Sequence, residues 1–374
     1  MPVPHILHVI DSLAPGGAER MVIAIANATD KTRYKVSICV THSDITLANE
    51  LVPSVSLFKL GRRKKIEVEK FMILAKFCKE GKVDLLQVHM RSSFLFISTL
   101  MCVGLLPKLP VIFTDHDGDV ELNNHIPWGV QICLKVLKPY FVGVCPDLTL
   151  AAIKAGVSPE KSCTIRNAIN FSSYDHSYYS SQKQGDVDQL ERPVGIMVAN
   201  IRPTKDHQFL LKALSELKED KWTFLLVGGE NDVEYLSRVK QNIRDLDLES
   251  RVRFLGARVD IPALLKLADF GVLSSKSESG PLVLLEYIAA GLPFVSTKVG
   301  LIGKTLCDLG VPGLMDKNDF DRFVQAISEL LHLSLEERLR RADLARELVS
   351  PQFDIQMIIP LWYAVYEKAL KRPE

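Results

Sequence analysis

Short apolar runs recur along the chain, each closed by glycine or polar residues. Between them, apolar positions return every three or four residues. The first pattern predicts buried strands and the second amphipathic helices. In the first half the runs are His5–Ile10, Val36–Thr41, Asp84–His89, Val111–Thr114 and Tyr140–Cys145, and the clearest helix is Ala18–Ala28. A polar stretch rich in Ser, Gln and Asp, residues 173–192, interrupts the alternation and predicts a linker or a long loop. The pattern then restarts with strands at Val194–Val198, Trp222–Val227, Val252–Leu255, Phe270–Leu273 and Phe294–Ser296. A helix over Gln208–Lys218 and a final one over Gln352–Leu370 complete it. Strands that alternate with helices form parallel sheets covered on both faces. The expectation is therefore α/β, with two Rossmann-like lobes. Residues 1–172, completed by a C-terminal helix 353–374, form the first; residues 193–352 form the second.

The length of 374 residues agrees with two cores rather than one. Apolar residues make up 47% and charged residues 24%, an ordinary globular composition. A net charge of +1 gives no reason to expect a nucleic-acid partner. The seven cysteines lack metal-ligand spacing and sit in part within apolar runs, which suits a reducing, cytoplasmic setting. The N-terminal MPVPHILHVIDS has no basic segment ahead of a long apolar core, so no signal peptide is expected. The longest apolar stretch, Phe94–Leu106, has about 13 residues where a membrane span needs about 20.

In open parallel sheets ligands bind beyond the carboxyl ends of the strands, so the residues there are the candidates. Gly16-Gly17 follows the first strand and opens a helix, where free N–H groups can meet a phosphate. The spacing is not G-x-G-x-x-G, which argues against a dinucleotide oxidoreductase. Arg202 and Lys205 follow the first strand of the second lobe and can neutralise a diphosphate. Glu278 lies in a Ser- and Gly-rich loop before a helix that begins near Pro281 or Leu282. Glu286 lies within that helix, LVLLEYIAA, which is apolar almost all round; a buried carboxylate there needs a partner. His89 and His116 end equivalent strands. Asp115, Asp117 and Asp119 share one short loop with no second acidic cluster, so no metal site is expected.

Taken together, these features resemble the retaining glycosyltransferases of family 4, with the two-lobed GT-B fold. Gly16-Gly17-Ala18-Glu19-Arg20 looks like that family's GGAER opening, and Arg166–Asn170 resembles its NGID segment. Val198–His207 looks like its donor-phosphate loop. Glu278 and Glu286, with seven residues between them, reproduce its E-x7-E pattern. Asn200 stands where the family often has Arg, and Ser279-Gly280-Pro281 where it often has Gly-Phe-Gly.

The resemblance implies parallel sheets facing a central cleft and transfer of a sugar from a UDP or GDP donor with retention of configuration. By that likeness Glu286 would bind the ribose, Glu278 the donor sugar, and Arg202 and Lys205 the diphosphate. Backbone groups of Gly16, Gly17, Gly280, Leu282 and Val283 would line the donor, with Asn200 nearby and Arg258 beside the base. His116 would contact the sugar near the reaction centre. No cofactor or metal is implied. The acceptor would be a glycan or lipid-linked molecule in polysaccharide or glycolipid biosynthesis. The stretch Lys59–Lys82 sets nine cations among Phe58, Phe71, Met72, Leu74 and Phe77, as a peripheral contact with the anionic inner face of a membrane would require. Two alternatives remain at this level: a catalytically silent glycosyltransferase-like binding subunit, and a sugar-nucleotide epimerase of the same fold.

Overall fold

The computed structural model describes residues 3–64, 67–118, 125–174, 190–230 and 232–371. The chain forms two compact units, Met1–Ala168 with Ile355–Glu374, and Ile169–Asp354.

The first unit runs β1 (His5–Ile10), α1 (Gly17–Ala28), β2 (Lys35–Val40), β3 (Ser56–Lys59), α2 (Val68–Glu80), β4 (Leu85–His89) and α3 (Arg91–Cys102). It continues through β5 (Val111–Asp115), α4 (Trp128–Leu137), β6 (Tyr140–Gly143), α5 (Pro146–Lys154) and β7 (Ser162–Thr164). The strands pair in parallel in the order β3-β2-β1-β4-β5-β6-β7. Every residue of β1, β4 and β5 is buried, because helices cover both faces. One core under this sheet joins Leu7, Leu86, Phe94, Phe113 and Phe141, with Phe94 and Phe113 stacked at 4.1 Å.

The second unit runs β8 (Val194–Val198), α6 (His207–Ser215), β9 (Thr223–Val227), α7 (Val233–Asp245), β10 (Val252–Gly256), α8 (Ile261–Leu267) and β11 (Phe270–Leu273). It continues through α9 (Leu282–Ala289), β12 (Phe294–Thr297), α10 (Gly300–Asp308), β13 (Leu314–Met315), α11 (Phe320–His332) and α12 (Leu335–Phe353). The sheet order is β10-β9-β8-β11-β12-β13, again parallel. Side-chain caps start α7, α11 and α12, where Asp232, Asp319 and Ser334 accept from the amides of Tyr235, Arg322 and Glu337. The last helix, α13 (Ile355–Leu370), belongs to the first unit, where Tyr366 donates to Gln87 on β4 at 2.7 Å.

The helix expected over Gln352–Leu370 is thus two helices broken at Asp354, whose carboxylate accepts from the Phe171 amide at 3.3 Å. Ile169–Tyr174 lie with the second unit, and the 3-10 turn Phe171–Tyr174 packs on α9. Most of the stretch expected as a linker, residues 175–189, lies outside the described residues. Three strands that hydropathy did not signal, β3, β7 and β13, close sheet edges; they have two to four residues each, too few to show alternation.

In each sheet the strand order reverses beside the unit's first strand. At β8/β11 the pairing is confined to Gly195–Phe270 and Ile196–Gly271, which frees backbone groups farther along both strands. Tyr287 of α9 fills that gap. Its hydroxyl accepts from the Val198 amide at 3.2 Å and lies within donating distance of the carbonyls of Ile196 (3.2 Å) and Val272 (3.0 Å). Gly271 is required beneath the ring, since a Cβ there would stand 2.5 Å from Tyr287 Cδ2. Tyr287→Phe keeps the packing but orphans the Val198 amide, and is expected to destabilise the second unit by about 1–3 kcal/mol in urea unfolding. An unchanged midpoint would show that the hydroxyl is dispensable.

Candidate functional site

In the second unit the candidate residues gather at the carboxyl end of the sheet. The loop after β8 turns through Pro203–Lys205 and reaches α6 by Asp206, which adopts a left-handed φ of +48°. Ser274, just past the end of β11, offers its hydroxyl to the carbonyls of Lys205 (3.0 Å) and Asp206 (3.1 Å), and the Lys276 amide donates to Thr204. These bonds seat the loop after β8 beside the loop after β11. Lys205 therefore meets Glu278 in an ion pair at Oε1, and Ser275 donates to the same oxygen at 2.7 Å. Both charges are nearly enclosed, with side chains 13% and 7% exposed, so each offsets the other's desolvation.

Glu286 is 5% exposed and accepts from the Tyr174 hydroxyl at 3.1 Å. Leu282 and Val283 open α9, with Gly280 just ahead of the Pro281 cap, so the helix begins four residues after Glu278. Gly300, at φ +66°, packs against this loop; a Cβ would stand 3.0 Å from the Glu278 carbonyl oxygen. The Leu301 amide donates to Ser279 at 2.9 Å. Arg202 Nε is buried and finds no partner among the described residues. A guanidinium placed so is ready for an anion.

Two further residues expected near the donor have partners within the chain. Asn200 Oδ1 accepts from the Gly229 amide at 3.0 Å, joining the loops after β8 and β9. Arg258 forms a two-pronged pair with Asp260 at 2.8 and 2.6 Å. Sequence reasoning missed Tyr174, Ser275, Tyr287 and Gly300. Tyr174 lay in a stretch read as a linker, and the signal for Ser275 was only its place after a strand.

In the first unit Gly16 and Gly17 open α1. The Glu19 carboxylate folds back so that a Cβ on Gly16 would stand 2.3 Å from Oε2, and burial raises the Glu19 pKa. Asp11, just past β1, accepts from Thr41 (2.7 Å), from Ser93 (2.9 Å) and from Ser92, with Arg62 at 3.7 Å. Arg91 pairs with Asp115 at 3.0 Å and with Asp117. Burial pushes Asp115 up to about 6 against the pull of Arg91. Asp119 lies outside the described residues, and among those described no three His, Cys, Asp or Glu converge as metal ligands. His116, 9% exposed, follows β5; its Nε2 is 3.2 Å from His89 Nδ1, and His89 Nε2 is 3.1 Å from His8 Nδ1.

Two family models match the chain: Glycosyltransferase Family 4 over residues 15–173, and Glycosyl transferases group 1 over residues 181–347. Among similar curated proteins, the Bacillus anthracis N-acetyl-alpha-D-glucosaminyl L-malate synthase is 27% identical over 323 residues, 80% of this chain and 78% of its own. An Escherichia coli UDP-Gal:alpha-D-GlcNAc-diphosphoundecaprenol alpha-1,3-galactosyltransferase is 26% identical over 300 residues, 76% and 71% of the two chains. Among solved structures, a Rickettsia africae glycosyltransferase superposes with a TM-score of 0.78 at 20% identity, over the whole of both chains. Anabaena HepE in complex with UDP and glucose does so at 0.75 and 21%, over 98% of this chain and 100% of its own. The architecture is GT-B: two α/β units, each built on a parallel sheet. The chain belongs to family 4 of the glycosyltransferases.

The three imidazoles of the first unit also make a stability prediction. Burial holds His8 down at about 3, His116 at about 4 and His89 well below its ordinary 6.5. They stay neutral when folded and gain protons only on unfolding once pH drops below 6.5, so stability is greatest above that value and falls toward pH 4. Each ring contributes about 1.4 kcal/mol per pH unit inside its window. Asp115, raised from 3.8, opposes one of them between pH 6 and 4. Urea titrations at pH 7.5, 6 and 4.5 should show the net fall, with a shallower slope in His89→Phe; a slope equal to that of the unaltered chain would contradict the account.

Proposed function

We propose that the chain transfers a sugar from a UDP-linked donor, with retention of anomeric configuration, to a lipid-linked or glycan acceptor. The observation that carries this reading is the gathering of buried carboxylates and an uncommitted cationic donor at one sheet end. Glu286 offers an acceptor for ribose hydroxyls, Glu278 one for sugar hydroxyls, and Arg202 a buried Nε without a partner among the described residues. The named activity of the Escherichia coli relative, with a UDP-sugar donor and a diphosphoundecaprenol acceptor, supports both halves of the proposal. A Campylobacter jejuni relative, also named for a diphospho-undecaprenol acceptor, supports the second.

The chemistry follows from charge. Breaking the bond between the anomeric carbon and the diphosphate leaves negative charge on the departing oxygen. Arg202, Lys205 and the first amides of α9 offset that charge in a site of low solvent exposure. Lys205 is held by Glu278 in the ligand-free chain. A donor diphosphate would compete for it and release the Glu278 carboxylate toward the sugar. Cationic side chains and a helix end supply the charge that a divalent ion supplies elsewhere, so we assign no metal to the reaction.

Acceptor access involves the membrane in this proposal. No described helix is long and apolar enough to cross one. In α2, Val68, Met72 and Ile73 are exposed at 61%, 55% and 38%. Lys76 and Lys79 are exposed on the same helix, and Phe71, Leu74 and Cys78 face the core. Exposed apolar residues with nearby cations suit an anionic interface. Residues 65 and 66 of the expected basic stretch lie outside the described residues.

Thermal-shift titration with UDP, GDP, ADP and CMP tests the donor half. UDP alone is expected to stabilise the chain, and Glu286→Ala to abolish the shift; no shift at millimolar UDP would favour a silent subunit or another donor. Turnover should persist in EDTA and fall at least a hundredfold in Glu278→Gln, as for loss of a transition-state contact. Co-sedimentation with phosphatidylglycerol vesicles at low salt tests the membrane half. Binding should weaken in Met72→Glu/Ile73→Glu, and its absence in the unaltered chain would remove the proposed surface.

A further inference from the structure

Three imidazoles cross the first sheet in a row, at the point where its strand order reverses. His8 lies on β1, His89 ends β4 and His116 follows β5, and these strands are neighbours. His8 Nδ1 is 3.1 Å from His89 Nε2, and His89 Nδ1 is 3.2 Å from His116 Nε2. Successive ring planes are inclined by 17° and 29°, with centroids 5.4 and 5.5 Å apart. The outer nitrogens, His8 Nε2 and His116 Nδ1, are buried and have no partner among the described residues. The rings pass bonds along in series and do not converge on a point.

A neutral imidazole has one N–H and one lone pair. Across two shared bonds, the choice made by one ring fixes the other two. Either every ring carries its proton on Nδ1, which leaves an N–H at His116 and a lone pair at His8, or every ring carries it on Nε2, which reverses the ends. A buried N–H without an acceptor is rarer in folded proteins than an acceptor short of a donor. The spare N–H therefore belongs at the less enclosed end. That end is His116, at 9% exposure against 0% for His8.

We propose that His8, His89 and His116 are one tautomer-coupled chain, with the proton on Nδ1 of all three, in which His8 and His89 are positioning residues that hold His116 Nδ1 as an N–H donor. The ligand group such a donor fits is an acceptor oxygen, a sugar hydroxyl or a phosphate oxygen. A donor whose tautomer is fixed in advance loses nothing to reorganisation when that oxygen arrives. That the oxygen is a substrate's rests on the glycosyl-transfer reading; the coupling of the tautomers does not.

The test is a long-range proton–nitrogen correlation spectrum of the full chain labelled with 15N-histidine, at pH 7.5. The three rings are expected to share the Nδ1–H pattern. In His8→Asp an ionised carboxylate beside His89 Nε2 can only accept, so the His116 nitrogens, two rings away, should move to the Nε2–H tautomer. His8→Asn keeps an amide N–H near the former Nδ1 position and should restore the original His116 signals. The other six histidines report whether the fold is kept. Unlike tautomers among the three rings of the unaltered chain would overturn the proposal without any variant, as would an unmoved His116 in a folded His8→Asp. Glu286→Ala should leave the three patterns unchanged while losing nucleotide binding, so failure of the donor reading and failure of the chain give different results.

Discussion

Where parallel strands stop pairing at a reversal of strand order, peptide groups lose their partners, and something must satisfy them without closing the opening. In the second unit that duty falls on one phenol. The Tyr287 hydroxyl sits among the Val198 amide and the carbonyls of Ile196 and Val272, on both sides of the gap. Burial holds the phenol well above its ordinary pKa, so it remains an O–H. The bond ties α9 to both strands. The N-terminus of that helix, capped at Pro281, is then fixed over the strand ends.

Fixing α9 in this way decides the environment of both glutamates. Glu286 precedes Tyr287, about 100° around the helix, so an anchored Tyr287 sets the direction of Glu286 as well. The 3-10 turn that carries Tyr174 packs on α9 and supplies the hydroxyl that a carboxylate at 5% exposure requires. Glu278 precedes the helix in a loop held from three sides, by Lys205 and Ser275 at the carboxylate and by the Leu301 amide at Ser279. Burying a carboxylate costs several kcal/mol unless it is paired. The loop after β8 therefore helps to hold Glu278 enclosed by delivering Lys205 to it.

How much of this was legible depended on whether the controlling contact is local. Central strands such as Leu85–His89 and Thr223–Val227 are buried on both faces and therefore read as unbroken apolar runs. Glu286 stood out because a charge inside LVLLEYIAA conflicts with its surroundings. The edge strands β3, β7 and β13 lacked that signature, being short and partly exposed. Tyr174 could not be read at all: its partner is 112 positions away, and its own neighbours are Ser and Asp. Asn200 and Arg258 were expected near the donor from the family resemblance; their bonds to the Gly229 amide and the Asp260 carboxylate follow from no sequence pattern.

The first unit carries different chemistry at its reversal of strand order. Its β1/β4 reversal is spanned by His8 and His89 rather than by a phenol. A phenol offers one hydroxyl whose donor and acceptor sides both end on fixed peptide groups, so its function is complete within the fold. An imidazole has two separated nitrogens and passes a constraint onward. Three in series carry a choice made on β1 to a nitrogen beyond β5, the strand-end position where ligands of open parallel sheets bind. The row stays neutral because burial opposes a further proton on each ring. A neutral row keeps a direction that a charged one would lose, since an imidazolium has N–H on both sides and no lone pair left to order its neighbour. Burial, usually a cost for histidine, is here the condition for the row to have a polarity at all.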